Sequence, residues 1–276
     1  MGVECAAMTA EADQIGPEMV LLPGVPAYLR SVYELGRRSL RPALPALAFL
    51  FLYRLGTGAY GALTNYSFAM GKGAPGLTAV VHATPILFLA LIYIPFLPLQ
   101  ESILRGRPIH FLGAIRCVLR MSVNLIFSGI AQVIILLGPI TPITILGARL
   151  LPDPLGLIMW TGMAWLAVAA FFMIFATPAV VLDGEGPLRS LRTSFLLVSR
   201  NLGSALGRLL VLAFLAFVGF EVARPLSTLG GNTSAPIKLV VVTWTSAAET
   251  LLYPFWVAAV MVLYRSLRPW TDEGRA

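Results

Sequence analysis

The side chains able to do chemistry in this chain are few and widely separated. Its only histidines, His82 and His110, lie 28 positions apart. Neither has a His or carboxylate three or four residues away, the spacing that brings two ligands to one metal on a helix. No Gly-x-Ser-x-Gly elbow accompanies a serine, no glycine-rich phosphate loop is present, and Asp183-Gly184 is followed by no carboxylates spaced to hold Mg²⁺. Cys5 sits in a polar tail and Cys117 beside Arg116, which reads as two free thiols. The sequence therefore predicts a non-catalytic protein with no cofactor and no metal.

Two charges stand out because they fall inside apolar runs: Arg54 and Glu249. An ionisable group at mid-membrane costs about 2.5–3.5 kcal/mol on insertion scales and normally faces protein, water or a partner charge. Arg54 lies ~17 Å and Glu249 ~22 Å above the inner ends of their helices, at ~1.5 Å per residue. A long arginine side chain bridges that difference, so the two are expected to pair, with Asn124 and Gln132 completing a polar network. This pair is the place to look for the substrate or proton site of a secondary transporter, the alternative to a non-catalytic role.

The elements that must carry these residues follow from composition. Of 276 residues, 58 % are apolar and 12 % charged, against about 45–50 % and 25 % in soluble domains. A soluble enzyme is excluded. The 20 basic and 13 acidic residues leave a net charge of +7, which in so apolar a chain points to an anionic membrane surface and not to nucleic acid. Six stretches are long enough to cross a ~30 Å hydrocarbon core as helices: 43–66, 77–99, 118–137, 155–182, 205–222 and 237–264. They lack the alternation of barrel strands. The expected fold is an all-α, six-span transmembrane bundle over 26–268, between a disordered acidic tail at 1–25 and a short tail at 269–276. Residues 138–147 either re-enter the outer leaflet or form an outer loop covered by protein.

Orientation follows from the basic residues. With the amino terminus inside, 15 of the 20 fall on inner segments, as the positive-inside rule demands. Both termini are therefore expected in the cytoplasm, at the inner membrane, and the signal-less start fits a bacterial protein with no cleaved leader.

Basic amphipathic helices are expected before each hairpin. In 187–202, Leu188, Leu191, Phe195, Val198 and Leu202 share one face while Arg189, Arg192 and Arg200 share another. Pro187 suits the first helical position, with Asp183 and Glu185 placed to favour the helix dipole. Region 26–41 repeats the design with Arg30, Glu34, Arg37 and Arg41, and 108–120 carries a third copy with Arg116 and Arg120. Arg30, Arg37, Arg41, Arg189, Arg192 and Arg200 are the expected contacts to anionic lipid headgroups. Close helix approach is expected at Gly58 and Ala62, and at Gly203 and Gly207.

The run from Phe175 through Asp183, Gly184 and Pro187 to Asn201, with Tyr253-Pro254-Phe255 and Tyr264-Arg265-Ser266-Leu267-Arg268, resembles the membrane domain associated with glycerophosphoryl diester phosphodiesterases and its stand-alone bacterial relatives. The likeness is best over 170–270. It implies a six-helix membrane domain; the metal-binding soluble barrel of the phosphodiesterase itself has no counterpart here. The function expected is that of a non-catalytic membrane component engaging anionic lipid or a membrane partner.

Overall fold

A computed structural model describes residues 24–64, 92–106, 109–139, 154–211 and 235–268, with Pro142 and Ile145. Residues 1–23, 65–91 with His82, 107–108, 212–234 and 269–276, and 140–153 apart from Pro142 and Ile145, lie outside the described residues. So do the greater parts of the expected second span, of the 138–147 segment and of the fifth span. Among the described residues the structure is all-helical, with no strand. The helices are α1 (Val25–Thr64), α2 (Ile94–Leu104), α3 (Phe111–Arg120), α4 (Ser122–Leu137), α5 (Pro154–Met173), α6 (Ala176–Asp183), α7 (Pro187–Arg200), α8 (Leu202–Val211) and α9 (Ala235–Leu267).

Two helical stretches are long and apolar enough to cross a membrane: Trp160–Asp183, which joins α5 and α6, and Pro236–Leu267 in α9. A third arises if α3 and α4 are taken together, although the chain bends by 72° between them. A helix satisfies most of its backbone groups internally, as an apolar surround requires; the break inside Trp160–Asp183 is bonded by a side chain of another helix.

The sequence divides 26–66 into a basic interfacial helix and a separate span. The structure has one 40-residue helix, α1, which runs through Pro42 and Pro45. These prolines remove the N–H groups that would bond the carbonyls of Arg38 and Arg41. Both arginines are exposed, so the released carbonyls meet polar surroundings. The packed face of Ala43, Ala46, Leu47 and Leu50 is untouched. At ~1.5 Å per residue α1 is ~60 Å long, twice the hydrocarbon thickness.

The antiparallel pair α1 and α9 is the spine of the fold. Tyr28 donates its hydroxyl hydrogen to the Ala259 carbonyl at 3.0 Å. Burial raises the Tyr28 pKa, with Arg208 over the ring face opposing it, so the phenol stays a donor. Glycine at 36 lets Phe255 lie against α1: a Cβ there would fall 2.4 Å from Phe255 Cδ1. Farther along, a Cβ at Gly58 would fall 2.6 Å from Val242 Cγ1, which makes this the close approach the small residue permits. Gly203 and Gly207 meet no neighbour within 4 Å among the described residues. Buried Gln100 of α2 ties the pair together, donating to the Pro254 carbonyl at 2.9 Å and to Ser39 Oγ at 3.3 Å.

Burial changes along α9. From Val257 to Arg265 every residue is buried, enclosed with Tyr28, Val32, Leu35, Phe175, Ala179 and Val198. Toward the other end Val240, Trp244, Leu251 and Leu252 are exposed. A helix apolar all round needs an apolar surround on every side; α9 obtains it from protein at its carboxyl half and exposes it elsewhere.

Candidate functional site

At the carboxyl end of α9 three carboxylates and three guanidinium groups converge from four parts of the chain. Glu101 comes from α2 and Arg105 from just after it, Asp183 from the end of α6, Glu185 from the turn after it, and Arg265 and Arg268 from α9 and just beyond. Gly184, at φ +66°, makes that turn, and the Glu185 N–H returns to the Ala179 carbonyl at 3.2 Å. A left-handed residue at a helix end suits glycine, which has no Cβ to clash.

Arg265 grips Glu101 with two prongs, Nε to Oε2 at 3.0 Å and Nη2 to Oε1 at 2.8 Å, and reaches Asp183 Oδ1 with Nη1 at 3.0 Å. Its side chain is only 7 % exposed. Arg105 adds two bonds to Glu101 Oε1, at 2.7 and 2.9 Å. Arg268 Nη1 spans Asp183 Oδ2 at 3.1 Å and Glu185 Oε1 at 2.9 Å. Tyr264 donates its hydroxyl hydrogen to Asp183, and Thr193 of α7 donates to Glu185 Oε1 at 3.1 Å. Burial alone lowers the Arg268 pKa, but Tyr264, Asp183 and Glu185 more than reverse it and leave it above the ordinary value. Each of the three carboxylates meets at least one guanidinium, with exposed Arg189 also 3.7 Å from Glu185 at the rim, and such pairing makes their burial tolerable. No group of three or more metal-ligating side chains is found among the described residues.

Arg105, Arg265 and Arg268 therefore answer to buried acids, whereas the sequence reading treats them as part of the inner positive excess. Asp183 and Glu185 likewise face these arginines, instead of serving chiefly the dipole of α7. The readable signal was the presence of Glu101, Asp183 and Glu185 in the same short stretches as the basic residues Arg105 and Arg189.

Arg54 of α1 and Glu249 of α9 form an ion pair, their side chains 32 % and 52 % exposed. Gln132 does not join it: its amide donates to Ser128 Oγ at 3.3 Å, and Ser128 in turn contacts Ser190 Oγ of α7 at 3.3 Å. Asn124 is half-buried on α4, which packs on α5, α6 and α7. Among the described residues neither Asn124 nor Gln132 is bonded to Arg54 or Glu249, and α4 packs mainly on α5, α6 and α7.

Helix α7 also differs from the two-faced reading. Its buried face is Ser190, Ser194 and Val198, at four-residue steps. Ser194 Oγ donates to the Phe172 carbonyl at 2.7 Å and accepts from the Phe175 N–H at 3.1 Å, so it bonds both sides of the break between α5 and α6. Leu188, Phe195 and Leu202 of the expected apolar face are exposed instead. Arg189, Arg192 and Arg200 are exposed on a third side. On α1, Arg37 and Arg41 are exposed, and Arg30 is 82 % exposed while bonded to Glu34 at 3.3 Å.

Among the described residues, fold and site together define an all-helical protein with two or three helices able to cross a bilayer and a largely buried ion network at the carboxyl end of α9. No family model, curated protein or solved structure matches the chain.

Proposed function

We propose that this chain is a non-catalytic, six-span protein of the cytoplasmic membrane, with both termini inside, whose basic surface holds anionic lipid headgroups. The observation that carries this reading is the division of the arginines. Those at the buried end are paired with carboxylates, while Arg192 and Arg200, and Arg189 but for its 3.7 Å contact with Glu185, stand exposed beside exposed Leu188, Phe195 and Leu202. Guanidinium groups next to bare apolar side chains match the boundary where lipid phosphates meet acyl chains.

The test is thermal unfolding of the detergent-purified chain with added phosphatidylglycerol or phosphatidylcholine. Phosphatidylglycerol should stabilise it more. Replacing Arg192 and Arg200 with Gln should remove most of that difference, at about 1 kcal/mol for each basic residue near an anionic surface. Equal effects of the two lipids on the parent chain would sink the reading.

A secondary transporter with its site at Arg54 and Glu249 is the second reading, favoured by one observation: Glu249 keeps half of its side chain exposed while paired. Transport needs a water path to that depth. On this reading a membrane-impermeant maleimide should label a Glu249→Cys variant in intact vesicles; absence of labelling from either side counts against it.

A further inference from the structure

We propose that the apolar groove between α4 and the start of α7 holds one acyl chain of an anionic phospholipid, with the lipid phosphate at Arg189. This rests on the reading that the basic surface faces anionic headgroups, and it names the place where a single lipid is retained.

The groove is shallow and open along one side, with a volume of about 550 Å³, within the range of ligand-sized sites. Its walls are Phe127, Ile130, Ala131 and Ile134 of α4, and the stretch from Gly186 to Leu188, with Arg189 as the sole charged residue. Phe127, Ile130, Ile134 and Leu188 are exposed, so large apolar surfaces on two helices face one space without filling it. Behind this wall Ser128 and Ser190 bond each other at 3.3 Å, and Ser190 also donates to the Pro187 carbonyl at 2.8 Å. The groove thus offers almost nothing to a backbone. An extended peptide would bring N–H and C=O groups that these walls cannot satisfy, at a cost for each. A hydrocarbon chain brings none.

Charge selects the headgroup. Arg189 is 79 % exposed, and its nearest carboxylate atom, Glu185 Oε1 at 3.7 Å, already accepts from Arg268 at 2.9 Å and Thr193 at 3.1 Å. Its positive charge is therefore only partly answered within the protein. The first-turn N–H groups of α7 lie at the same end and favour an anion there. Arg192, one turn on, is also exposed. A phosphate at Arg189 with its chain along α4 satisfies both the charge and the apolar wall.

The experiment is native mass spectrometry of the full chain, purified in mild detergent and offered phosphatidylglycerol or phosphatidylcholine of identical chains. The parent protein should retain one phosphatidylglycerol through delipidation. Arg189→Gln should lower that retention about fivefold, the loss of one surface cation's attraction, and leave phosphatidylcholine unchanged. Ile130→Trp, which fills the groove, should abolish the retained adduct; Ala131→Leu is a smaller filling should the first variant fail to fold. Folding is checked by gel filtration and melting temperature. Retention of the adduct in a folded, groove-filled variant overturns the proposal, as does equal retention of the two lipids. If that adduct persists while Arg192 and Arg200 still govern stabilisation by phosphatidylglycerol, the groove fails and the surface reading stands.

Discussion

Replacing Arg265 with methionine should destabilise the protein by about 3–5 kcal/mol, the usual cost of breaking a buried ion pair by removing one partner. Arg265 provides the two-pronged bond to Glu101 and a bond to Asp183. Its loss takes a two-pronged cation from buried Glu101, which keeps Arg105, and leaves Asp183 with Arg268 and Tyr264. In a detergent melt this corresponds to a fall of about 6–20 °C for a chain of this size class. Arg265→Lys should fall between, because an ammonium keeps the charge but not the planar fork. Adding Glu101→Gln to Arg265→Met should cost less than the two single changes summed, since it removes a carboxylate that the first change strands. A melting temperature for Arg265→Met within a degree or two of the parent would show that the network is not holding α2, α6 and α9 together.

The second large effect concerns Arg54 and Glu249. On the six-span reading, Glu249→Gln leaves a guanidinium among apolar helices and should cost about 2.5–3.5 kcal/mol, the penalty for an unaccompanied charge at that depth. Folded, monodisperse yield should drop with it. Changing both residues to Leu removes the charge along with its partner and should restore most of the yield, as apolar replacement of ion pairs often does. The comparison separates a clasp from a coincidence of position: equal behaviour of the single and double variants would mean the two side chains do not support each other.

What could be read from sequence was whatever depends on periodicity and local chemistry. Pro187 begins α7, the apolar runs at 155–182 and 237–264 fall on α5 with α6 and on α9, and depth arithmetic matched Arg54 with Glu249 because both helices are regular there. What could not be read depends on partners far along the chain. Arg265 meets Glu101 across 164 positions and Asp183 across 82, and no repeat records such a meeting. The break at residues 174–175 is bonded by Ser194, about 20 residues on, so nothing in the apolar run itself marks it. The continuity of α1 through Pro42 and Pro45 was hidden for the opposite reason. Local chemistry argues for a stop there, and packing against α9 overrides it.

The ion network also sets an order on the making of the protein. Chains grow from the amino terminus, so Glu101, Asp183 and Glu185 are synthesised well before Arg265 and Arg268. Until α9 emerges, Asp183 lacks both of its arginines and the pocket that will enclose Val257 to Arg265 has no occupant. The helices made earlier already pack on one another, α2 on α1 and α6, and α7 on α4, α5 and α6, and Glu101 already has Arg105 while Glu185 has Thr193. Asp183 is the acid that waits: a chain halted before α9 would carry it without either arginine, as a mark of being unfinished.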